Sequence, residues 1–104
     1  MITHTSASLE NSTFISRSNI RKIGLIGGLS WNSTIAYYQT INQLSNIHLG
    51  GLYSPPIVIE SLDFEYFNKL VIEDKDEDLL NYLWQGVQKL EQAGADFYGI
   101  CCNT

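Results

Sequence analysis

The chain is 104 residues long, 44% hydrophobic and 16% charged, with a formal net charge of −5. That length supports one domain at most, and the composition is that of an ordinary soluble protein rather than a disordered or membrane one. With only 6 Lys and Arg there is no basic patch to neutralise phosphates, which argues against nucleic acid, and no apolar run reaches the roughly 18 residues of a membrane span. The two cysteines, Cys101 and Cys102, are adjacent and cannot staple distant segments, so a reducing cytoplasm is the expected setting.

Residues 1–20, "MITHTSASLENSTFISRSNI", are rich in Ser, Thr and Asn and have no hydrophobic period, which predicts a poorly ordered extension. A transit peptide is the sharper reading, favoured by the serines and by Arg17 and Arg21 but opposed by Glu10. "KIGLIGG" then holds a short apolar run, residues 23–26, suited to a strand buried on both faces. Ser30 is placed as the N-cap of a helix from Trp31 to about Leu49, with Tyr37, Ile41 and Leu44 at helical spacing and Gly50-Gly51 as its stop. "PPIVIESL" gives a second strand over residues 57–62, entered through two prolines.

The acidic run Glu73–Asp78 reads as a solvated loop whose last acids favour the start of the next helix; as a metal site it fails, because consecutive positions point in different directions. In that helix Leu80, Leu83, Val87 and Leu90 recur at helical spacing, flanked by Leu79 and Trp84, and Gly94 is the expected residue just past its end. Gly86 in its middle costs about 1 kcal/mol relative to Ala, which points to close packing on a sheet. A third strand spans residues 97–102. The order β-α-β-α-β predicts an α/β fold: a three-layer parallel sheet with flanking helices and right-handed crossovers. In such sheets ligands bind beyond the carboxyl ends of the strands, where "GGLSWNST" and "CCNT" both fall.

The glycine loop matches neither the phosphate-loop pattern, since no Lys follows the glycines, nor the dinucleotide fingerprint. Its physical content is a tight turn or close approach at Gly27-Gly28, beside a helix start whose N–H groups suit a small anion such as a carboxylate. Cys102 has two readings: a small core residue at a strand end, or a thiol that can act as base or nucleophile. Strand alternation sends Cys101 and Cys102 to opposite faces, with Cys101 assigned to packing and Cys102 to the crevice beside Asn103 and Thr104. His4 and His48 form no dyad with either, and no metal-ligand spacing is present.

Three stretches, "KIGLIGGLSWNSTIAYYQTIN", "GGLYSPPIVIESLDF" and "LEQAGADFYGICCNT", resemble the amino-terminal half of the aspartate/glutamate racemase family. They cover Lys22 to Thr104 in order and in register. The resemblance implies a cofactor-independent enzyme of two similar α/β domains, each giving one cysteine to opposite faces of the substrate α-carbon. It maps the acid/base role onto Cys102, carboxylate or amine binding onto Asn103 and Thr104, and the pocket wall onto Leu29 and Ser30. The implied partner is a small amino acid or related carboxylate, with homo-oligomerisation open for a full-length protein. Where some members carry an arginine after the second strand, this sequence has Ser61-Leu-Asp-Phe64, which leaves an acidic side-chain preference unsupported.

Because the second cysteine of the resemblance belongs to a carboxyl-terminal domain, residues 21–104 are expected to be a truncated first domain, unable to racemise alone. Two rivals remain: a non-catalytic carboxylate-binding half-domain or degenerate gene product, and a flavodoxin-like nucleotide or flavin binder lacking a phosphate loop.

Overall fold

A computed structural model describes residues 21–102. The expected extension over residues 1–20, and Asn103 and Thr104, lie outside the described residues. Strands β1 (Ile23–Gly27), β2 (Ile57–Ser61) and β3 (Phe97–Ile100) form one parallel sheet in the order β2-β1-β3. Helix α1 (Trp31–Leu49) joins β1 to β2, while α2 (Phe64–Ile72) and α3 (Asp76–Gln92) join β2 to β3. The first connection steps to one side of β1 and the second steps back across it. Right-handed crossovers therefore put α1 and α3 on opposite faces of the sheet.

This is the predicted α/β class with one helix more than the sequence reading placed. Helix α2 is capped by Asp63, whose carboxylate accepts the Tyr66 N–H at 3.2 Å. The acidic run is correspondingly shorter as a loop: Glu73 closes α2, Asp74 turns with φ 55°, and Asp76, Glu77 and Asp78 already occupy the first turn of α3. Three acids there complement the positive end of the helix. The strand limits also differ slightly, since β2 stops at Ser61 and β3 at Ile100.

The core lies between the sheet and α3. Ile26, Leu29, Leu62 and Leu90 are buried together, with Phe67, Tyr82, Leu83, Val87 and others packed around them. Each such side chain contributes about 1.5–3 kcal/mol by leaving water. Gly86 is buried, and a Cβ there would come within 2.9 Å of Ile26 Cδ1, so the close approach expected of this glycine is present. The helix stop at Gly94 is also present: with φ 90°, its N–H donates to Glu91 O while Ala95 N–H donates to Leu90 O, both at 3.0 Å. Those two bonds satisfy carbonyls left open at the helix end.

Two predicted apolar stripes need correction. On α3, Leu80 is exposed and Leu79 turns inward in its place, because the stripe follows Leu79, Leu83, Gly86 and Leu90. On α1, Ile41 is half-buried but Tyr37 and Leu44 are exposed. The cause lies in the helix itself. Apolar residues occur on every side of α1, whereas its buried residue is Ser33 and the residue lying against Gly27 of β1 is Thr34, both small and polar.

Candidate functional site

The carboxyl ends of the three strands are tied together by main-chain hydrogen bonds. Leu62 N–H donates to Gly27 O at 2.8 Å, joining the end of β2 to β1. Cys101 N–H donates to Ile26 O at 2.9 Å, joining the end of β3 to β1 from the other side. The glycine turn and the cysteine pair are therefore neighbours at one end of the sheet, where an open α/β sheet receives ligands.

Gly28 turns with φ 84°, and a Cβ there would press on the Leu62 backbone and on Ser61 Oγ. A Cβ on Gly27 would lie 2.7 Å from Thr34 Cγ2. The close approach inferred from the glycine pair is thus made to the chain itself, to the tip of β2 and the first turns of α1. The Gly28 N–H is also taken, donating to Thr34 Oγ1 at 2.9 Å.

Of the residues singled out from sequence, Leu29 follows the turn with its side chain buried in the core cluster, so only its backbone can face a ligand. Ser30 occupies the N-cap position of α1, but its hydroxyl makes no capping bond; its carbonyl accepts the Ser33 N–H at 3.0 Å. The capping role predicted for the Ser30 side chain is therefore not present. With φ 69° and ψ 99°, Ser30 is in a region a non-glycine residue rarely occupies, at a cost of about 1–3 kcal/mol. Neither Leu29 N–H nor Ser30 N–H has a partner among the described residues. Two backbone donors and one hydroxyl thus remain at this turn.

Cys101 and Cys102 are both free thiols but differ sharply: Cys101 is fully buried and Cys102 is exposed. Burial raises the Cys101 thiol above its usual range, which keeps it protonated and inert. Cys102, one residue on, follows β3 at the open end of the sheet. Sequence reasoning missed Thr34 and Ser61, which pack against the glycine turn, and Asp63, whose N–H donates to Tyr82 Oη at 2.8 Å. The signal for Thr34 was a hydroxyl in the first turns of the helix directly after a glycine pair. His, Cys, Asp and Glu side chains form no group of three able to hold a metal ion among the described residues.

A parallel sheet with a glycine turn at the end of its central strand and an accessible thiol at the end of the next defines an α/β protein whose candidate site lies at the strand tips. Within that class the assignment is narrower. The Asp/Glu/Hydantoin racemase family profile matches residues 26–104, and the chain belongs to that family. Among solved structures, a Yersinia pestis protein assigned to the Asp/Glu racemases is 38% identical, with a TM-score of 0.79, over 81% of this chain. An aspartate racemase homologue from Pyrococcus horikoshii is 28% identical, with a TM-score of 0.74, also over 81%. In both cases the match covers 36% of the other chain, so this sequence spans little more than a third of these relatives.

Proposed function

We propose that the chain forms one half of a cofactor-independent amino-acid racemase site of the aspartate/glutamate type, with Cys102 as one of two acid/base groups. The observation that supports this best is the division of labour between the adjacent cysteines, one buried and one exposed at the strand tips beside the glycine turn. In this reading the Cys102 thiolate takes the α-proton and becomes a thiol, leaving a carbanion. A second thiol on the opposite face, supplied from outside these residues, then delivers its own proton and becomes a thiolate, and the α-carbon is inverted. The carbanion charge rests on hydrogen-bond donors: the backbone of Leu29 and Ser30, with Asn103 and Thr104 holding the carboxylate or amine. The substrate is a small amino acid, and no cation in Ser61-Leu62-Asp63-Phe64 selects a second carboxylate. The protein works in a reducing compartment, the cytoplasm, where Cys102 stays reduced.

The test is α-proton exchange in D2O, followed by proton NMR on L- and D-aspartate, L- and D-glutamate and L-alanine. It is run with this chain alone and with a separately expressed segment of the Yersinia pestis relative, comprising the part of that chain outside the 36% covered by the match. Alone, the chain is expected not to interconvert enantiomers. Exchange that requires both halves and is abolished by Cys102→Ser supports the reading; exchange indifferent to Cys102→Ser sinks it. A second reading, a carboxylate-binding half-domain without turnover, is favoured by the N–H groups of Leu29 and Ser30, which have no partner among the described residues at the glycine turn, and predicts binding with no exchange in either arrangement.

A further inference from the structure

We propose that Thr34 is the positioning residue of the glycine turn. This rests on the carboxylate-binding reading of that turn given above. Two observations converge on its side chain and a third on its place in the fold. Its Oγ1 accepts the Gly28 N–H at 2.9 Å. Its methyl lies 2.7 Å from where a Cβ on Gly27 would be, too close for both, so the glycine makes room for the threonine. Its backbone belongs to α1, and the same turn is held from the other side by Leu62 N–H on Gly27 O at 2.8 Å.

The consequence is a selection among donors. A glycine turn ahead of a helix offers a run of backbone N–H groups to an anion. Here the first, that of Gly28, is withdrawn by Thr34, and those of Leu29 and Ser30 are left without a partner among the described residues. The unusual Ser30 backbone, φ 69° and ψ 99°, sits between these two fixed points, Gly28 bonded to Thr34 and the helix that Thr34 belongs to. Thr34 thereby sets where Leu29 and Ser30 present their donors relative to the strand tip carrying Cys102. It touches no reacting atom and acts through the loop. Thr34→Val keeps the shape and removes the acceptor, whereas Thr34→Ser keeps the acceptor and removes the methyl.

The experiment uses the chain labelled with nitrogen-15. Amide exchange at Gly28, Leu29 and Ser30 is measured alongside chemical-shift titrations with L-aspartate and with L-alanine. In Thr34→Val the Gly28 amide is expected to exchange about five- to tenfold faster, the size of one net hydrogen bond. Leu29 and Ser30 shifts move with it, and amino-acid binding weakens by a similar factor while far-UV circular dichroism is unchanged. Thr34→Ser restores both readouts. If Thr34→Val leaves the Gly28 amide unchanged, the bond is not formed and the proposal fails. If it lowers only the melting temperature while binding holds, Thr34 is merely structural and the proposal fails equally. Failure of the wild-type chain to bind either amino acid overturns the carboxylate reading instead; the Gly28 exchange result still decides whether Thr34 anchors the turn.

Discussion

Cys101 and Cys102 are consecutive, yet their surroundings assign them opposite chemistry. The Cys101 thiol is fully buried and its Cys101 N–H is bonded to Ile26 O, so ionising it would place a charge among apolar groups. Cys102 is exposed. Iodoacetamide should therefore label Cys102 in the folded chain and leave Cys101 untouched until denaturant is added, as read by peptide mass spectrometry. Equal labelling of both under native conditions would contradict the burial. A pH effect follows from the same group. The folded-state pKa of Cys101 lies above its unfolded value, so its contribution is fully present below the ordinary thiol pKa of about 8.5 and is lost as pH rises through the folded value. Urea midpoints should fall more steeply on the alkaline side for wild type than for Cys101→Ala. The opposite fates of the two thiols were expected from strand alternation. Strand β3 ends at Ile100, however, so the outcome matches while its cause differs: the Cys101 N–H bond to Ile26 O ties that residue to the sheet and Cys102 lies beyond it. The bond from Gly28 to Thr34 was not legible in sequence, since it depends on how the turn folds back over the helix. Nor was the buried side chain of Leu29, which a loop position after two glycines does not announce.

Among the elements, α3 shows how a local cost is offset by packing. Gly86 is a poor helix residue by about 1 kcal/mol, and replacing it with Ala would recover that much if space allowed. Space does not allow it: the new Cβ would meet Ile26 Cδ1 at 2.9 Å and Leu62 Cδ2 at 3.3 Å, and Ile26 is itself fully buried. Overpacking of this kind costs about 1–3 kcal/mol, so Gly86→Ala should destabilise the chain on balance. Adding Ile26→Val, which can remove the clashing carbon, should recover part of the loss. Urea melts of the two single variants and the double variant measure this coupling; additive effects would mean that the contact is not made. The close fit was readable from a glycine in the middle of an otherwise clear helix. Helix α2 was harder to read because its nine residues lie between a strand tip and a charged run. Its signature was nevertheless present: Asp63 as cap, then Phe64, Phe67, Leu70 and Val71 at helical spacing. For α1 the periodicity identified the helix and its ends but not its buried side, because a helix with apolar residues all round gives no preferred face.

At the scale of the whole molecule, charge and apolar surface are segregated. The acids cluster where α2 hands over to α3, whereas the 19 residues of α1 include no Asp, Glu, Lys or Arg. On and just after that helix, Trp31, Ile35, Ile47 and Leu52 are largely exposed, and on β3 Phe97 and Ile100 are about half exposed. Among the described residues strand β3 is also a sheet edge, with Phe97, Tyr98, Gly99 and Ile100 carrying no charge or proline to discourage pairing. Burying such side chains between copies would remove apolar area from water and so favours association. The net charge of −5 opposes it through repulsion that salt screens. Both effects act in one direction when sodium sulfate is added, since sulfate screens the charge and also strengthens apolar burial. Sedimentation velocity across the micromolar range should therefore show the chain associating, more so at higher sulfate, with 1-anilinonaphthalene-8-sulfonate fluorescence falling as the apolar surface becomes covered. Placing Glu at Ile35 and Ile47 should shift the distribution toward monomer. A chain that stays monomeric throughout, with no dye bound, would mean that these surfaces are satisfied within the chain itself.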